Sequence, residues 1–358
     1  MNITITGGGT GGHLFPAIAI AQEFQRRDPV HAIQFIGSAR GLEAQVLPRA
    51  GYQLQTVEIK GFMGKGPLKK IESLISIVPA VLKARRLLRA FGSEIVIGFG
   101  GYISFPAIIA GRLLGLPVVL HEQNSVPGLS NRLLGFWAKR VFVTYAESMN
   151  CFSVRKIIHS GLPLRTLPVV DRDQDRDSSV FTVCVMGGSQ GAREINNAMI
   201  GALPVFQQSG FRIRFIHQTG VQDARSVTDA YRRHSLQAVV APFFDDMLTR
   251  FLDADLVIDR AGAGTLAELA VCGRAAILIP YSFAAGDHQK KNALTFTRQG
   301  AALLLESREL ISAVLAQKVI DLIRAPERLH AMEQQARVLA QPQAAQIIVD
   351  ECCRLVAA

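Results

Sequence analysis

The chain has 358 residues, of which 49% are hydrophobic and 19% are charged, a composition typical of a soluble α/β protein and not of a disordered one. Its length predicts two domains, since an average domain has about 150 residues. No apolar run reaches the ~20 residues of a transmembrane helix, and no signal-peptide pattern is visible. The five cysteines are scattered without metal-ligand spacing, which predicts a reducing, cytoplasmic compartment.

The net charge of +10 predicts an anionic partner, either nucleic acid or an anionic membrane surface. Only 7% of the residues are aromatic, which argues against single-stranded nucleic acid bound by base stacking. In residues 67–91, basic side chains are interleaved with Leu, Ile and Val, a pattern that suits a membrane interface. The alternative is an ordinary amphipathic helix with solvated basic side chains. The residues concerned include Lys69, Lys70, Leu74, Ile75, Ile77, Lys83, Arg85, Arg86 and Arg89.

Apolar runs alternate with amphipathic stretches along the whole chain, which predicts an α/β fold of two doubly wound parallel sheets. Strands are predicted near residues 2–6, 32–36, 53–59, 95–98, 117–120 and 140–143, and then near 180–186, 212–217, 237–241, 255–258, 275–279 and 301–305. Helices fill most of the gaps, for example 16–27 and 262–271. The predicted domains are 1–163 and 164–341, with a hinge near 161–163 and a linker at 171–179. We expect the final helix, within 342–358, to cross back onto the first domain.

Two glycine-rich loops, each between a predicted strand and a predicted helix, lie about half the chain apart. They are residues 7–13 (GGGTGGH) and residues 187–192 (GGSQGA). Glycine lets a ligand approach bare N–H groups, and a helix N-terminus attracts phosphate. The pair therefore predicts two α/β halves that face one cleft, and two ordinary strand-to-helix turns are the alternative.

The first loop also satisfies G-x-G-x-x-G through Gly7, Gly9 and Gly12, a weak dinucleotide fingerprint. Residues 36–40, where the second strand ends, include Arg40 and no acidic residue, so a dinucleotide would be NADP rather than NAD. His13 is unusual for such a site, because a histidine at the mouth of a helix can act as a base near neutral pH. A solvent-facing histidine at the start of a helix is the alternative.

Four more polar or glycine-containing segments follow predicted strands: residues 99–102, 121–124, 260–265 and 286–289. Ligands of parallel sheets bind beyond the carboxyl ends of the strands, so these segments predict a site along one cleft. For Thr265 and Glu268 the alternative is a helix cap, since they have capping-box spacing.

Together these segments resemble the MurG family, the N-acetylglucosaminyltransferases of bacterial peptidoglycan synthesis. The similar stretches are GGTGGHLFPA (8–17), GFGGY (98–102), HEQNSVPG (121–128), GGSQGA (187–192), FFDDM (243–247), GAGTLAEL (262–269) and HQKKNA (288–293). They occur in the family's order and cover both halves of the chain. The resemblance implies the GT-B fold, in which two Rossmann-like domains face a cleft.

The resemblance also implies the reaction. GlcNAc passes from UDP-GlcNAc to the C4 hydroxyl of MurNAc in undecaprenyl-pyrophosphoryl-MurNAc-pentapeptide (lipid I), with inversion, to give lipid II. It implies a peripheral enzyme on the cytoplasmic face of the cell membrane. The implied partners are anionic inner-leaflet phospholipid and a cell-wall synthesis or division complex, with no nucleic acid, metal or cofactor. The N-terminal domain would hold the acceptor and the membrane, and the C-terminal domain the donor.

Site residues follow from the matching positions. Those implied for UDP-GlcNAc are Thr10, Gly11, Gly12, Asn124, Arg165, Ser189, Gln190, Gly191, Phe244, Gly264, Thr265, Leu266, Glu268 and Gln289. Glu268 would bind the ribose, Gln289 the GlcNAc hydroxyls, and Phe244 stands at the uracil position, where the family commonly has a smaller aliphatic residue. Arg260 is placed to reach phosphate, and Tyr102 is assigned to the acceptor side.

An inverting displacement needs one base on the acceptor hydroxyl. His13 is the first candidate for this base, followed by His121 and Glu122. Three other functions compete with the transferase: a non-hydrolysing UDP-GlcNAc 2-epimerase, an NADP-dependent oxidoreductase, and a non-catalytic nucleotide or nucleic-acid binding module.

Overall fold

The computed structural model describes residues 1–59, 77–165, 177, 179–188 and 190–358. The chain divides into two compact units. Unit 1 comprises Met1–Thr166 together with Pro342–Ala358, and unit 2 comprises Leu167–Gln341. The boundary falls just after the predicted hinge, and most of the predicted linker 171–179 lies outside the described residues.

Unit 1 is built on a parallel sheet whose seven described strands run in the order β3-β2-β1-β4-β5-β6-β7. These strands are β1 (Asn2–Thr6), β2 (Ala32–Gly37), β3 (Gln53–Thr56), β4 (Ile95–Gly98), β5 (Val118–Glu122), β6 (Arg140–Val143) and β7 (Ile157–His159). The described helices of unit 1 are α1 (Gly11–Arg27), α2 (Glu43–Arg49), α3 (Ile77–Phe91), α4 (Ser104–Leu113), α5 (Leu129–Leu134) and, from the end of the chain, α13 (Ala344–Ala357). Short 3₁₀ turns cover Ala146–Cys151 and Val154–Lys156.

Unit 2 repeats this architecture with six described strands in the order β10-β9-β8-β11-β12-β13. The strands are β8 (Phe181–Val185), β9 (Ile213–Gln218), β10 (Gln237–Ala241), β11 (Leu256–Asp259), β12 (Ala275–Leu278) and β13 (Ala302–Leu304). The helices are α6 (Arg193–Gln208), α7 (Ala224–Arg233), α8 (Met247–Asp253), α9 (Ala263–Cys272), α10 (His288–Arg298), α11 (Ser312–Ile323) and α12 (Pro326–Val338), with 3₁₀ turns at Ala285–Asp287 and Ser307–Glu309.

Both sheets are doubly wound, which confirms the predicted α/β fold. Their central strands are apolar on both sides because helices cover both faces, and each sheet accordingly has one buried cluster on each face. In each unit the chain starts at a central strand, winds outward in one direction and then returns to wind in the other. The direction in which successive strands are added to the sheet therefore reverses between β1 and β4 in unit 1, and between β8 and β11 in unit 2. Ligands of such sheets bind at this reversal point.

The structure corrects several predicted boundaries. Helix α1 begins at Gly11 and not at Pro16, because the first turn already places Leu14 in the core. Strand β3 ends at Thr56, short of the predicted 59. Strand β5 runs on to Glu122, so His121 and Glu122 belong to the strand. Strand β7 was not predicted, since its three residues at the sheet edge carry too short a pattern.

The final helix α13 packs against α1 within unit 1. Its Ile348, Val349 and Cys352 side chains are fully buried in the same cluster as Phe24 of α1. Glu351 accepts a hydrogen bond from Arg140 Nε at 2.6 Å, which ties the helix to β6. The C-terminal helix α13 is therefore part of the hydrophobic core that also contains residues of β1 and α1.

In the part of the chain that the structure covers, no helix combines the length and apolarity that crossing a bilayer requires. The same residues contain no group of three or more His, Cys, Asp or Glu side chains arranged to hold a metal ion.

Replacing Ile348 by alanine should lower the free energy of unfolding by ~2–5 kcal/mol, because it leaves a cavity between α13 and α1. Thermal unfolding of Ile348→Ala should show a clearly lower midpoint. The matched control is Ile311→Ala, where the side chain is mostly exposed and little change is expected. Equal effects of the two substitutions would contradict the packing of α13 on unit 1.

Candidate active site

The first glycine loop connects β1 to α1 and carries His13 in the first turn of the helix. Gly9 has a φ of +84°, a conformation that glycine adopts without strain. The half-buried His13 ring places Nδ1 3.2 Å from the Gly8 carbonyl oxygen and 3.3 Å from Thr10 Oγ1. Because a carbonyl oxygen only accepts, the Gly8 contact favours the tautomer with the proton on Nδ1, which leaves the lone pair on Nε2.

The loop after β4 lies against this glycine loop. A Cβ at Gly101 would be 3.4 Å from the Gly8 carbonyl oxygen and 4.0 Å from His13 Nδ1. Tyr102, which follows, has an exposed side chain. Residues 7–13 and 99–102 therefore meet beside the reversal point of the sheet, as the sequence predicts for neighbouring parallel strands.

His121 is fully buried at the end of β5. Its Nε2 lies 3.0 Å from the Gly161 carbonyl oxygen, and its ring stacks on Phe99 with 5.5 Å between centroids. Burial lowers the pKa of His121 to about 4, despite the Gly161 hydrogen bond. The side chain is thus held neutral inside the sheet.

Glu122 organises the loop that follows β5. Its carboxylate accepts hydrogen bonds from the backbone N–H groups of Asn124 and Gly128, at 2.9 and 3.1 Å, and from Asn131 Nδ2 at 2.9 Å. Burial raises its pKa, and these hydrogen bonds oppose that shift. The loop carries the half-buried Asn124. Arg165, in the segment after β7, places its guanidinium 4.9 Å from the ring centroid of Phe15 on α1.

The second glycine loop connects β8 to α6 and touches the loop after β9. Gly191 has a φ of +76°, and a Cβ there would overlap the Thr219 carbonyl oxygen. Glycine is therefore required at this crossing. Gln190 is exposed beside it.

Gln218, at the end of β9, joins two segments of the predicted donor site. This buried side chain donates from Nε2 to the Gly188 carbonyl oxygen at 3.0 Å and accepts from the Phe244 N–H at 2.8 Å. The sequence analysis missed Gln218, although a polar residue at the end of an apolar strand is the same signal that marked the other loops. Phe244 itself is nearly buried, and the Arg250 guanidinium lies 5.0 Å from its ring centroid.

Helix α9 begins at Ala263, and its N-cap residue, Gly262, has no side chain that could form a capping hydrogen bond. The capping-box alternative for Thr265 and Glu268 is therefore wrong, because Thr265 lies inside the first turn. Outside its own helix turn, a Cβ at Gly264 would meet no atom of the described residues within 4 Å, so a ligand can approach the backbone there. Glu268 is half-buried one turn further on.

The other predicted residues of this unit differ in their surroundings. The Leu266 side chain is fully buried in the core, so only its backbone belongs to the helix start. Gln289, near the start of α10, accepts a hydrogen bond from the Tyr281 N–H at 2.9 Å. Arg260, placed by the sequence to reach phosphate, pairs with Glu194 and donates to the Ile279 carbonyl oxygen at 3.1 Å.

Asp259, the last residue of β11, is fully buried at the foot of α9. One carboxylate oxygen accepts from the Arg260 N–H at 2.6 Å, and Oδ2 has no hydrogen bond to the described residues. Burial raises the pKa of Asp259 to about 7. Hydrogen bonds from Arg260 and Thr265 lower this pKa, whereas the nearby Glu268 carboxylate raises it further.

Two domain models of glycosyltransferase family 28 match the chain, the N-terminal domain over residues 3–143 and the C-terminal domain over residues 182–348. A protein of Syntrophotalea carbinolica is 43% identical over 357 residues, 98% of each chain. It is named UDP-N-acetylglucosamine--N-acetylmuramyl-(pentapeptide) pyrophosphoryl-undecaprenol N-acetylglucosamine transferase. The solved MurG of Acinetobacter baumannii superposes with a TM-score of 0.81 at 30% identity, over 99% of both chains. The chain belongs to the MurG family of glycosyltransferases.

The UDP-GlcNAc 2-epimerase of Neisseria meningitidis shares the fold, with a TM-score of 0.67 over 99% of this chain and all of that one. At 13% identity this likeness concerns the fold alone. Membership of the MurG family decides against the epimerase, the NADP-dependent oxidoreductase and the non-catalytic module that the sequence left open.

The structure groups the described candidates by unit. In unit 1, the segments with Thr10, Gly11, Gly12 and His13 and with Tyr102 meet at the reversal point. In unit 2, Gln218 connects the second glycine loop to Phe244, and Gly264, Thr265 and Glu268 start or follow α9. Ser189, Lys69, Lys70, Leu74 and Ile75 lie outside the described residues.

The raised pKa of Asp259 predicts a pH-dependent stability. Between pH 4 and 7 the folded state holds a proton that the unfolded state releases, so stability should fall by up to ~1.4 kcal/mol per pH unit as the pH rises. Relative to Asp259→Asn, the wild type should therefore unfold at a progressively lower temperature from pH 5 to pH 7. The exposed Asp321→Asn variant is the control. A pH-independent difference between wild type and Asp259→Asn would contradict this.

Proposed function

We propose that the chain transfers GlcNAc from UDP-GlcNAc to the C4 hydroxyl of MurNAc in undecaprenyl-pyrophosphoryl-MurNAc-pentapeptide, giving lipid II. The full-length identity of 43% to a transferase of that name carries this proposal. In the reaction, the C4 oxygen forms a bond to the anomeric carbon as the bond from that carbon to the β-phosphate oxygen breaks. UDP leaves with the electron pair, the hydroxyl proton passes to a base, and the configuration inverts.

His13 is our choice for the base, on the acceptor-binding unit 1. It is half-buried, and the Gly8 contact leaves its lone pair on Nε2. His121 and Glu122 are less suitable, because both are buried and engaged in holding loops. Thr10, Gly11 and Gly12 lie on the same loop and would contact the sugar or the acceptor pyrophosphate.

Unit 2 would hold the donor at the reversal point beside β8. The leaving UDP gains negative charge, and the uncapped N-terminus of α9 offers N–H groups and the positive end of a helix dipole. Gly264 and Thr265 would flank the nucleotide, Glu268 would accept from the ribose hydroxyls, and Gln289 would bind the sugar. Asn124, Arg165, Ser189, Gln190, Gly191, Phe244 and Leu266 complete the proposed donor residues.

Unit 1 would dock on the anionic inner leaflet, where the lipid acceptor is anchored. Helix α3 buries Ala80, Val81, Ala84 and Leu88 and exposes Val78, Leu82, Lys83, Arg86 and Arg89. The helix contains no acidic residue. Its exposed side therefore joins apolar and basic side chains as interfacial helices do. Such docking would make the enzyme peripheral, on the cytoplasmic face of the membrane, close to a cell-wall synthesis complex.

Exchanging one residue in each unit should separate chemistry from donor binding. His13→Ala should lower turnover ~100-fold or more while leaving UDP-GlcNAc affinity nearly unchanged. Glu268→Ala should weaken UDP binding by ~1.5–3 kcal/mol, roughly 10- to 150-fold in Kd, through loss of charge-assisted hydrogen bonds. Turnover of labelled UDP-GlcNAc with a lipid I analogue, together with calorimetry, measures both. Near-normal turnover of His13→Ala would exclude it as the base, and unchanged UDP affinity of Glu268→Ala would exclude the ribose contact.

Charge reversal on α3 tests the membrane surface. Replacing Lys83, Arg86 and Arg89 by glutamate should sharply reduce co-sedimentation with anionic vesicles, since each basic residue near such a surface contributes ~1 kcal/mol. Binding of the wild type should also fall with added salt. The control carries the same charge change on unit 2, at the exposed Arg225, Arg232 and Arg233 of α7. Equal binding by the two triple variants would refute docking through α3.

A further inference from the structure

Glu43, the first residue of α2, is a fully buried carboxylate beside the first glycine loop. Its Oε2 accepts a hydrogen bond from the Gly9 N–H at 3.0 Å, and its Oε1 accepts one from the Ser38 N–H at 3.0 Å. The carboxylate therefore joins the loops that follow β1 and β2. In a dinucleotide-binding protein, N–H groups of such a glycine loop face a phosphate. Here one of these N–H groups, that of Gly9, donates to the protein's own Glu43 carboxylate instead.

Glycine residues enclose this carboxylate. A Cβ at Gly8 would lie 2.6 Å from Glu43 Cδ, and one at Gly37 would lie 3.1 Å from Glu43 Cγ. A Cβ at Gly41 would overlap the carboxylate oxygens. Glycine at these positions therefore allows the backbone to pack directly against the Glu43 carboxylate, in addition to allowing a ligand to approach.

The Gly9 N–H and the Gly8 carbonyl belong to the same peptide group. Glu43 accepts from its N–H, and the Gly8 oxygen faces His13 Nδ1 at 3.2 Å. Because a peptide group is planar, fixing its N–H also fixes the direction of its carbonyl. A carboxylate on the N–H also polarises the group and strengthens the carbonyl as an acceptor.

We propose that Glu43 is a positioning residue for His13 and acts through the Gly8–Gly9 peptide group. It holds the carbonyl toward Nδ1, keeps the proton on that nitrogen and presents the lone pair of Nε2 to the acceptor hydroxyl. Glycine on both sides of this peptide would otherwise let it rotate. The proposal rests on the proposed function insofar as it treats His13 as the base, whereas the coupling between Glu43 and the His13 tautomer is independent of the reaction.

Glu43→Gln tests the proposal in the full-length chain. An amide of the same shape offers one accepting oxygen and turns an NH₂ group toward the other N–H donor. We expect kcat to fall ~10- to 100-fold, less than the ~100- to 10,000-fold that a general base contributes as a whole, because the variant misdirects the base without removing it. The KM for UDP-GlcNAc should stay within about twofold, because the proposed nucleotide-binding residues are on unit 2. Nitrogen NMR of histidine-labelled protein should show that the His13 signal, identified from its loss in His13→Ala, no longer has the pure Nδ1–H tautomer.

Glu23→Gln is the matched control. Glu23 is also a buried carboxylate of unit 1, at the other end of α1, where it pairs with Arg26 and Arg27. This variant should lose stability without a change in kcat or in the His13 tautomer. If Glu43→Gln does not fold, Glu43→Asp keeps the charge but is one methylene too short to reach both N–H groups, and it should give the same loss.

The outcomes separate the two proposals. An unchanged His13 tautomer in a folded Glu43 variant overturns the positioning role, whatever the activity. A changed tautomer with unchanged kcat overturns the link to catalysis. A wild type that transfers no GlcNAc to a lipid I analogue refutes the proposed function, and the NMR result, which needs no substrate, still tests the coupling of Glu43 to His13.

Discussion

Parallel strand pairing is the constraint on which both units depend. Every described strand pair is parallel, so the carboxyl ends of all strands of a sheet lie along one edge and each return crosses a face as a helix or loop. At β1 and β8 the winding direction reverses, and the loops on the two sides diverge there. The glycine-rich loops follow these two strands. The strand topology therefore places the backbone N–H groups of the glycine-rich loops at the points of the sheets where ligands can bind.

Buried polar side chains give these loops a defined shape. Glu122 gathers three donors from its own loop and α5, Gln218 joins two loops of unit 2, and Glu43 joins two loops of unit 1. A buried carboxylate or amide is costly unless its hydrogen bonds are satisfied, so each of these groups stabilises only one arrangement of the backbone around it. The loops that surround the proposed substrates are consequently held by side chains that need not touch a substrate.

Fold and chemistry are specified by different residues in this chain. The apolar strands and helices resemble those of a UDP-GlcNAc 2-epimerase at only 13% identity, because many sequences satisfy the same packing. Some positions at the strand ends have requirements other than packing. The position of Gly191 requires a residue without a side chain, because a Cβ there would overlap the Thr219 carbonyl oxygen. The proposed base on the first glycine loop requires the imidazole of His13. The transferase assignment rests on the full-length similarity and the two domain models.

The α/β class, the two doubly wound sheets and most strand positions could be predicted from the sequence, because apolar periodicity and glycine turns are local signals. It also located His13, Glu268 and the two glycine loops, which lie at predicted strand ends. Only the three-dimensional structure shows that His121 and Glu122 are buried within β5, and that Gln218 and Glu43 connect separate loops. These features join residues far apart in sequence or depend on how far a strand extends, and no local pattern encodes which donor a buried carboxylate or amide will meet.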